Sequence, residues 1–266
     1  MIDVATCREA VEEVKRVLTE LPRRVDREAV VGQGEGSDET TAIDAAAEQA
    51  VVARLDSTGA DFTLVSEELG IRPARGDSKA YVVVDPIDGS INAKRGIPFF
   101  SLSIAVADGP TMGDVQFGYV YDFGSNEEWW ARRGDGAYLN DEALRPGAPD
   151  RIELLSLEAT KTELVARHAP ALVEVAYRVR VMGSLALSLC QLAAGRVDAV
   201  CSLRAARSVD IAAAQLLVTE VGFVVGLPDV APIADAPLDL EGRSRVVAAG
   251  TNEHYERLVA ALGPLA

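Results

Sequence analysis

Two carboxylates, Asp85 and Asp88, lie directly after the apolar run Tyr81–Val84. The run predicts a buried strand whose end delivers Asp85 to the edge of a sheet. Pro86 forbids helix continuation and predicts a turn, which would bring Asp88 back beside Asp85. The spacing therefore predicts a pair of neighbouring carboxylates at the end of a strand.

Three further groups beside this pair suit ion binding. The carbonyl of Ile87 is free, Gly89 permits a positive φ or a close backbone approach, and Ser90 suits the start of a short helix. Mg²⁺ prefers oxygen ligands of this kind, and the N–H groups at a helix start bind phosphate. The segment favours metal-assisted phosphate chemistry, and the alternative is an ordinary Asp-rich turn that caps backbone groups.

A second acidic pair, Glu67 and Glu68, follows the apolar segment 62–66 and so also leaves the end of a predicted strand. Acid pairs at the ends of two neighbouring strands would repel by several kcal/mol at low dielectric. A cation between the two pairs removes that repulsion. The two pairs together therefore favour a metal site over a simple turn.

Two more carboxylates lie in the early turns of predicted Ala-rich helices. Asp210 belongs to the helix predicted over residues 208–222, and Asp44 follows Thr41 by one turn in the helix predicted over residues 40–56. Capping of the helix N-terminus is the alternative role for Asp210. Both carboxylates are candidate members of the site.

Two helices and a series of strands position these acids in the first half of the chain. Residues 4–21 and 40–56 have helical apolar spacing, and short apolar runs over residues 62–140 predict strands. The Gly-rich stretch 31–40 lacks the G-K-[ST] ending of a P-loop and follows no strand, so a nucleotide cradle has little support. We expect this stretch to be a mobile arm that brings Asp44 or a third cation into the site.

The Pro- and Gly-rich segment 141–150 is the predicted domain boundary, and strands alternate with helices beyond it. We expect an N-terminal α+β half over residues 1–145 that carries most metal ligands. A C-terminal α/β half over residues 146–266 would carry Asp210 and the substrate contacts.

The composition limits the class of protein. The chain has 266 residues, of which 48% are hydrophobic and 25% charged, and this indicates a soluble globular protein with a sizeable core. No apolar run approaches the roughly 20 residues of a bilayer span, and the first residues lack the order of a secretory signal, so we expect a cytoplasmic protein. The net charge of −15 disfavours nucleic acid and anionic membranes as partners.

Cysteine and histidine offer little material for other chemistry. Cys7, Cys190 and Cys201 are too scattered for a disulfide framework or a zinc knuckle, and we expect them to be buried. His168 and His254 lie far apart in the chain and are expected at the surface. A histidine-based triad or metal site is therefore not predicted.

Five segments of the chain together carry a family pattern. They are Ser66–Glu68, Asp85–Ser90, Gly136–Asn140, Met182–Ser184 and Val209–Ala213. In this order and spacing the chain resembles the inositol monophosphatase and fructose-1,6-bisphosphatase superfamily, most of all its archaeal branch, from about residue 5 to residue 260. The resemblance implies an α+β and α/β fold layered as an α/β/α/β/α sandwich, a homodimer and phosphatase activity.

The same resemblance implies a metal site and a catalytic group. It implies two or three Mg²⁺ ions, with Mn²⁺ as a substitute and Li⁺ as an inhibitor. Asp44 would pair with the hydroxyl of Ser90, and Glu67 with a metal-bound water would supply the nucleophile. The implied metal ligands are Glu67, Asp85, the carbonyl of Ile87, Asp88 and Asp210.

Substrate contacts are implied as well, with one departure from the family pattern. Leu203 lies where eukaryotic inositol-specific enzymes have an acid, so strict selectivity for inositol is not expected. Arg204, Arg207 and Arg180 suit a second phosphate or sugar hydroxyls, and pairing with surface acids is their alternative role. The implied substrate-binding residues are Asp88, Gly89, Ser90, Arg180, Gly183, Ser184 and Arg204.

We therefore predict a Mg²⁺-dependent phosphatase of small sugar or inositol phosphomonoesters, with fructose 1,6-bisphosphate and inositol 1-phosphate as leading substrates. One alternative is a phosphatase of adenosine 3',5'-bisphosphate or NADP. Another, of a different class, is a catalytically silent protein that binds phosphorylated ligands.

The acidic excess predicts an adaptation to salt. The chain has 41 Asp and Glu against 26 Lys and Arg, with few lysines, as in proteins of salt-loving microbes. A GC-rich genome is the alternative, and it accounts for the arginines but not for the full acidic excess. We expect the melting temperature to rise from low salt to molar KCl, because salt screens repulsion between surface carboxylates. A melting temperature indifferent to KCl would contradict the halophilic interpretation and leave the phosphatase prediction standing.

Overall fold

The N-terminal residues form helices around a short hairpin. A computed structural model describes residues 2–33, 39–159, 161–230 and 232–264. The first elements are α1 (Val4–Glu20), α2 (Arg24–Arg27), β1 (Val30–Gln33), β2 (Glu39–Thr41) and α3 (Ala42–Asp56). β1 and β2 pair in antiparallel fashion at the two ends of the predicted mobile arm. Gly34 and Gly36 of that arm lie outside the described residues.

A large mixed sheet follows. Its elements are β3 (Thr63–Ser66), β4 (Gly70–Arg72), β5 (Tyr81–Asp88), α4 (Ser90–Arg95), β6 (Ser101–Ala107), β7 (Val115–Asp122), β8 (Glu128–Arg132), β9 (Gly136–Leu139) and β10 (Glu142–Ala143). The strand order is β10-β9-β8-β7-β6-β5-β3-β4, in which β3 and β5 are parallel and the other neighbours antiparallel. The series of strands predicted for the first half is confirmed.

The second half forms a smaller sheet with its own helices. Its elements are β11 (Leu154–Glu158), α5 (Thr162–Leu172), β12 (Arg178–Arg180), α6 (Leu185–Ala193), β13 (Ala199–Ser202), α7 (Ser208–Glu220), β14 (Val224–Gly226), β15 (Val247–Ala249) and α8 (Asn252–Leu262). The strand order is β12-β11-β13-β15-β14. The sequence pattern does not predict α5, because Pro170 disfavours a helix and the inward face of α5 is short, with Leu172 as its buried residue.

The elements stack in five layers, as predicted. One apolar cluster joins α1 and α3 to the outer face of the large sheet. A second joins α6 and α7 to the inner faces of both sheets, and a third joins the far face of the small sheet to α5 and α8. The order is therefore α/β/α/β/α, while the division after residue 145 stays a prediction. No helix among the described ranges is both long and apolar enough to cross a bilayer.

The cysteine prediction is confirmed, and one histidine prediction is wrong. Cys7, Cys190 and Cys201 are free and buried. His254 is buried as well, because it lies on the face of α8 that packs towards the small sheet. His168 in α5 is partly exposed.

A buried ion pair ties α8 to the rest of the second half. Arg245 is 2% exposed and donates to Asp229 Oδ1 at 2.6 Å. The same guanidinium donates to the carbonyls of Leu262 and Gly263 at the end of α8. Hydrogen bonding to Arg245 holds the pKa of Asp229 below its usual value.

We expect Asp229→Ala to lower the free energy of unfolding by about 3 kcal/mol, because it leaves Arg245 buried without its counter-charge. The lowered pKa of Asp229 means that its contribution is present above about pH 4 and is lost as the pH falls further. Urea denaturation at pH 7 and at pH 3 measures both effects. Glu28→Ala, which breaks the exposed pair of Arg24 and Glu28, is the control and should change little. An equal effect of the two substitutions would contradict the role of the buried pair.

Candidate active site

The ends of two parallel strands place the first acids of the site side by side. Ser66 pairs with Val84 in the parallel ladder of β3 and β5. Glu67, the first residue after β3, and Asp85, a residue within β5, therefore lie at the same level. This juxtaposition follows from the pairing of strands that are not consecutive in the chain, since β4 lies between them in sequence.

Strand β5 continues through Pro86, where the sequence predicts a turn. The ladder between β5 and β6 shifts register between Asp85 and Asp88, which marks a β-bulge. A bulge tolerates Pro86 because a residue there need not donate to the ladder. The two carboxylates are close enough that the charge of Asp88 raises the pKa of Asp85. The bulge thus brings Asp88 close to Asp85, where the sequence predicts a turn that does so.

The four carboxylates predicted as metal ligands act on one another electrostatically. Burial raises the pKa of Glu67 to about 6, and Arg207 and Asp210 act on it in opposite directions. Burial and then the charges of the other three carboxylates raise the pKa of Asp85 well above its usual value. Burial also raises the pKa of Asp88 to about 7. Full ionisation of this cluster at neutral pH therefore requires positive charge close to it.

Arg207 supplies part of that charge. Its Nη2 donates to Glu67 Oε1 and lies 3.4 Å from Asp210 Oδ1. Asp210 Oδ2 also accepts the backbone N–H of Arg207 at 2.7 Å, which is the capping role considered for it. Burial alone would lower the pKa of Arg207, but the charges of Asp210 and Glu67 outweigh it and raise the pKa. Arg207 thus pairs with two predicted metal ligands and not with surface acids, and its contact with a substrate phosphate stays a prediction.

The start of α6 holds Asp88. Its Oδ2 accepts hydrogen bonds from the hydroxyl of Ser184 and from the N–H of Ala186, the latter at 2.8 Å. Gly89 and Gly183 both have positive φ, and a Cβ on Gly89 would lie 3.0 Å from the carbonyl oxygen of Gly183. Glycine at both positions therefore allows the two loops to approach closely.

The predicted pair of Asp44 and Ser90 is not formed. The hydroxyl of Ser90 donates to the carbonyl of Ile87 at 3.0 Å. This carbonyl oxygen is one of the predicted metal ligands, so the hydroxyl takes the place of a metal ion there. Asp44 Oδ2 instead accepts from the hydroxyl of Thr41 at 2.5 Å and lies 3.1 Å from Lys94 Nζ. Each side chain takes a partner close to it in sequence. Asp44 Oδ1 is buried without a hydrogen-bond partner among the described residues.

Two arginines predicted to contact substrate lie at the periphery. Arg180 ends β12 and is exposed, and its Nη1 donates to the carbonyl of Val179. Arg204 is exposed on the loop between β13 and α7. Within the described residues neither guanidinium donates to a carboxylate of the site, and their contacts with substrate stay predictions.

Comparison with known proteins decides the family. A family model described as the inositol monophosphatase family matches residues 1–265. The chain belongs to the inositol monophosphatase family. The resemblance stated from the five sequence segments is thereby confirmed.

Among the relatives of this family member, one is named as a phosphatase and another as a Nus factor. The fructose-1,6-bisphosphatase/inositol-1-monophosphatase of Methanothermobacter thermautotrophicus is 36% identical over 261 residues, which cover 94% of this chain and 93% of the relative. The Nus factor SuhB of Pasteurella multocida is 36% identical over 198 residues, which cover 71% and 72%. The crystal structure of an inositol monophosphatase-fructose 1,6 bisphosphatase, the MJ0109 gene product, superposes with a TM-score of 0.85 at 27% identity and covers 98% of this chain and 100% of its own. The chain is therefore a phosphatase of a hydrolase family.

The family is metal-dependent in general, and the donors of this site fit a divalent cation. The donors are carboxylates and the carbonyl of Ile87, which are the ligands that hard cations prefer. Arg207 already acts as a counter-cation between Glu67 and Asp210. Within the described ranges, no group of three or more Asp, Glu, His or Cys side chains is arranged so that it could hold a metal ion. The side chains would therefore have to change partners to hold an ion.

A carboxylate that the sequence reasoning missed, Glu158, supports the loop at the start of α6. It is 2% exposed, and its Oε2 accepts the N–H of Gly183 at 2.9 Å. Its Oε1 accepts from the hydroxyls of Ser156 and Ser188 and from the N–H of Met182. Glu158 ends the apolar strand β11 much as Glu67 follows β3, so the signal of an acid at a strand end was present.

A second missed carboxylate, Glu48, holds the chain after β3. It is buried, and its Oε1 accepts from the hydroxyl of Ser66 and from the N–H groups of Glu68 and Leu69. Glu48 follows Asp44 by one turn of α3, so both project from the same face of the helix. That spacing could have identified it.

We expect Glu158→Ala to lower the free energy of unfolding by about 2–4 kcal/mol, because several buried donors lose their shared acceptor. The same substitution should lower phosphatase activity, since the Gly183 loop holds Asp88 through Ser184. Urea denaturation and phosphate release are the measurements. Glu153→Ala, an exposed acid just before β11, is the control. Equal stabilities of the two variants would contradict a positioning role for Glu158.

Proposed function

We propose that this phosphatase hydrolyses small sugar or inositol phosphomonoesters in a Mg²⁺-dependent reaction, with fructose 1,6-bisphosphate and inositol 1-phosphate as leading substrates. The observation that carries the proposal is the cluster of Glu67, Asp85, Asp88 and Asp210, whose charges act on one another where β3 and β5 meet the start of α7. The archaeal relative's name, which combines both activities, supports the choice of substrates.

The four carboxylates and the carbonyl of Ile87 would hold two or three Mg²⁺ ions, with Mn²⁺ as a substitute and Li⁺ as an inhibitor. Bound cations supply a bound water of lowered pKa and neutralise charge on the phosphate. The burial of these carboxylates favours metal binding, because a carboxylate with few water contacts binds a cation strongly.

Glu67, Asp44 and Ser90 are the proposed catalytic residues. Glu67 would accept a proton from the attacking water, a role that suits a carboxylate whose pKa burial raises to about 6. The proposed pair of Asp44 and Ser90 requires the Ser90 hydroxyl to exchange the Ile87 carbonyl for a carboxylate. Asp44 Oδ1, which lacks a partner among the described residues, is an available acceptor.

The proposed substrate contacts surround this cluster. Gly89 and Gly183 allow the loops that carry Asp88 and Ser184 to meet, and Arg180 and Arg204 would attract a second phosphate or sugar hydroxyls. Leu203 is 3% exposed and apolar, so it offers no acceptor to an inositol hydroxyl. A substrate range broader than inositol phosphates follows.

A cytoplasmic homodimer without nucleic-acid or membrane partners completes the proposal. The net charge of −15 supports the absence of nucleic-acid and membrane partners, since it repels phosphate backbones and anionic lipid headgroups.

We expect phosphate release from both leading substrates with Mg²⁺ and none after chelation with EDTA. Asp88→Asn should lower kcat/KM by about a hundredfold or more, because it removes a charged donor from the metal site. Asp77→Asn, an exposed acid away from the cluster, is the control and should match wild type. No turnover of any sugar phosphate, with Asp88→Asn indistinguishable from wild type, would refute the proposal.

A competition assay tests the alternative substrates. Preferential turnover of adenosine 3',5'-bisphosphate or NADP would replace the sugar-phosphate assignment. Stabilisation of the fold by a phosphorylated ligand that is never consumed would instead indicate a silent binding protein.

A further inference from the structure

The ion pairs of Arg207 differ from the surface pairs of this acidic chain. The exposed fractions of the side chains are 22% for Arg207, 22% for Glu67 and 19% for Asp210. The surface pair of Arg24 and Glu28, by comparison, is 56% and 41% exposed. Water screens the pairs of Arg207 much less, so they weigh more in the energetics of the site.

Arg207 uses the same oxygen atoms that a metal ion would need. Glu67 Oε1 accepts its Nη2–H, and Asp210 Oδ1 faces the same nitrogen at 3.4 Å. Asp210 Oδ2 is already committed to the backbone N–H of Arg207. An ion that bound Glu67 through Oε1 and Asp210 through Oδ1 would therefore have to displace the guanidinium.

We propose that Arg207 is an internal cation that holds Glu67 and Asp210 together in the metal-free protein and competes with the metal ion for them. The inference rests on the proposed metal-dependent function and adds a residue that tunes metal affinity. A divalent ion outcompetes the guanidinium because it carries twice the charge in a smaller volume.

A cavity next to Arg207 gives the displaced side chain space. The cavity has a volume of about 200 Å³, and Arg207 contributes to its wall. Its other lining residues are mostly apolar, and Glu241 in its wall already pairs with Arg243, so Asp235 is the carboxylate that it offers to a guanidinium that leaves the metal site. Arg207 therefore has space and one nearby carboxylate outside the metal site.

Metal titration tests the competition directly. Wild type, Arg207→Gln and Arg204→Gln are titrated with Mg²⁺ and with Mn²⁺ by isothermal calorimetry after removal of metal with EDTA. We expect Arg207→Gln to bind metal about tenfold more tightly or better, the factor that corresponds to one lost charge-assisted hydrogen bond. Arg204→Gln removes the same charge from an exposed position of the same loop and should shift the affinity by no more than about twofold.

Thermal unfolding separates competition from a simple structural role. Without metal, Arg207→Gln should melt below wild type, because two partly buried carboxylates lose their counter-cation. With saturating Mg²⁺ the difference should vanish, since the ion has taken over that role. Arg207→Lys keeps the charge and should fall between wild type and Arg207→Gln in both measurements.

Equal metal affinities of wild type and Arg207→Gln would overturn the inference and leave the metal-dependent function intact. An equal loss of melting temperature with and without metal would overturn it too, because it would indicate a structural role. Failure of every variant to bind metal would overturn both the inference and the metal dependence of the proposed function.

Discussion

Repulsion between like charges is the constraint on which this site depends. Glu67, Asp85, Asp88 and Asp210 are brought together where burial and mutual repulsion raise the pKa of the first three. Such a cluster is stable only if positive charge accompanies it. Arg207 supplies one charge from within the chain, and divalent cations would supply the rest. Any cation that binds the cluster would therefore also stabilise it electrostatically.

The rest of the fold keeps the acids in place against this repulsion, mostly with buried polar groups. Glu48 and Glu158 accept backbone N–H groups of the turns that follow β3 and precede α6. Asn92 donates to the carbonyls of Phe99 and Met182, and so links the loop after β5 to the one before α6. Because α6 and α7 lie between the two sheets, these loops meet between the large and the small sheet. Side chains outside the acidic cluster thus fix the geometry of the acids within it.

The acidic composition now divides into two groups with different physical roles. One is the buried cluster with its supporting carboxylates, whose charges are balanced locally by Arg207, Lys94 and backbone donors. The other is the surface excess, whose charges are exposed to water and are screened by salt. The net charge of −15 arises mainly from the second group, so it bears on solubility and salt response more than on catalysis.

The sequence by itself determined most strands and helices, though not α5, and the four clustered acids, because apolar periodicity and acids at element ends are local signals. The five layers were expected from the family resemblance. The sequence also predicted the family, since five short segments match the family pattern in their order and spacing. Only the tertiary structure decided that Pro86 lies in a bulge, that Ser90 donates to Ile87 rather than to Asp44, and that Arg207 turns inward. These outcomes depend on which strands pair and on which charged groups are removed from water. The spacing of residues that are close in sequence determines neither of these.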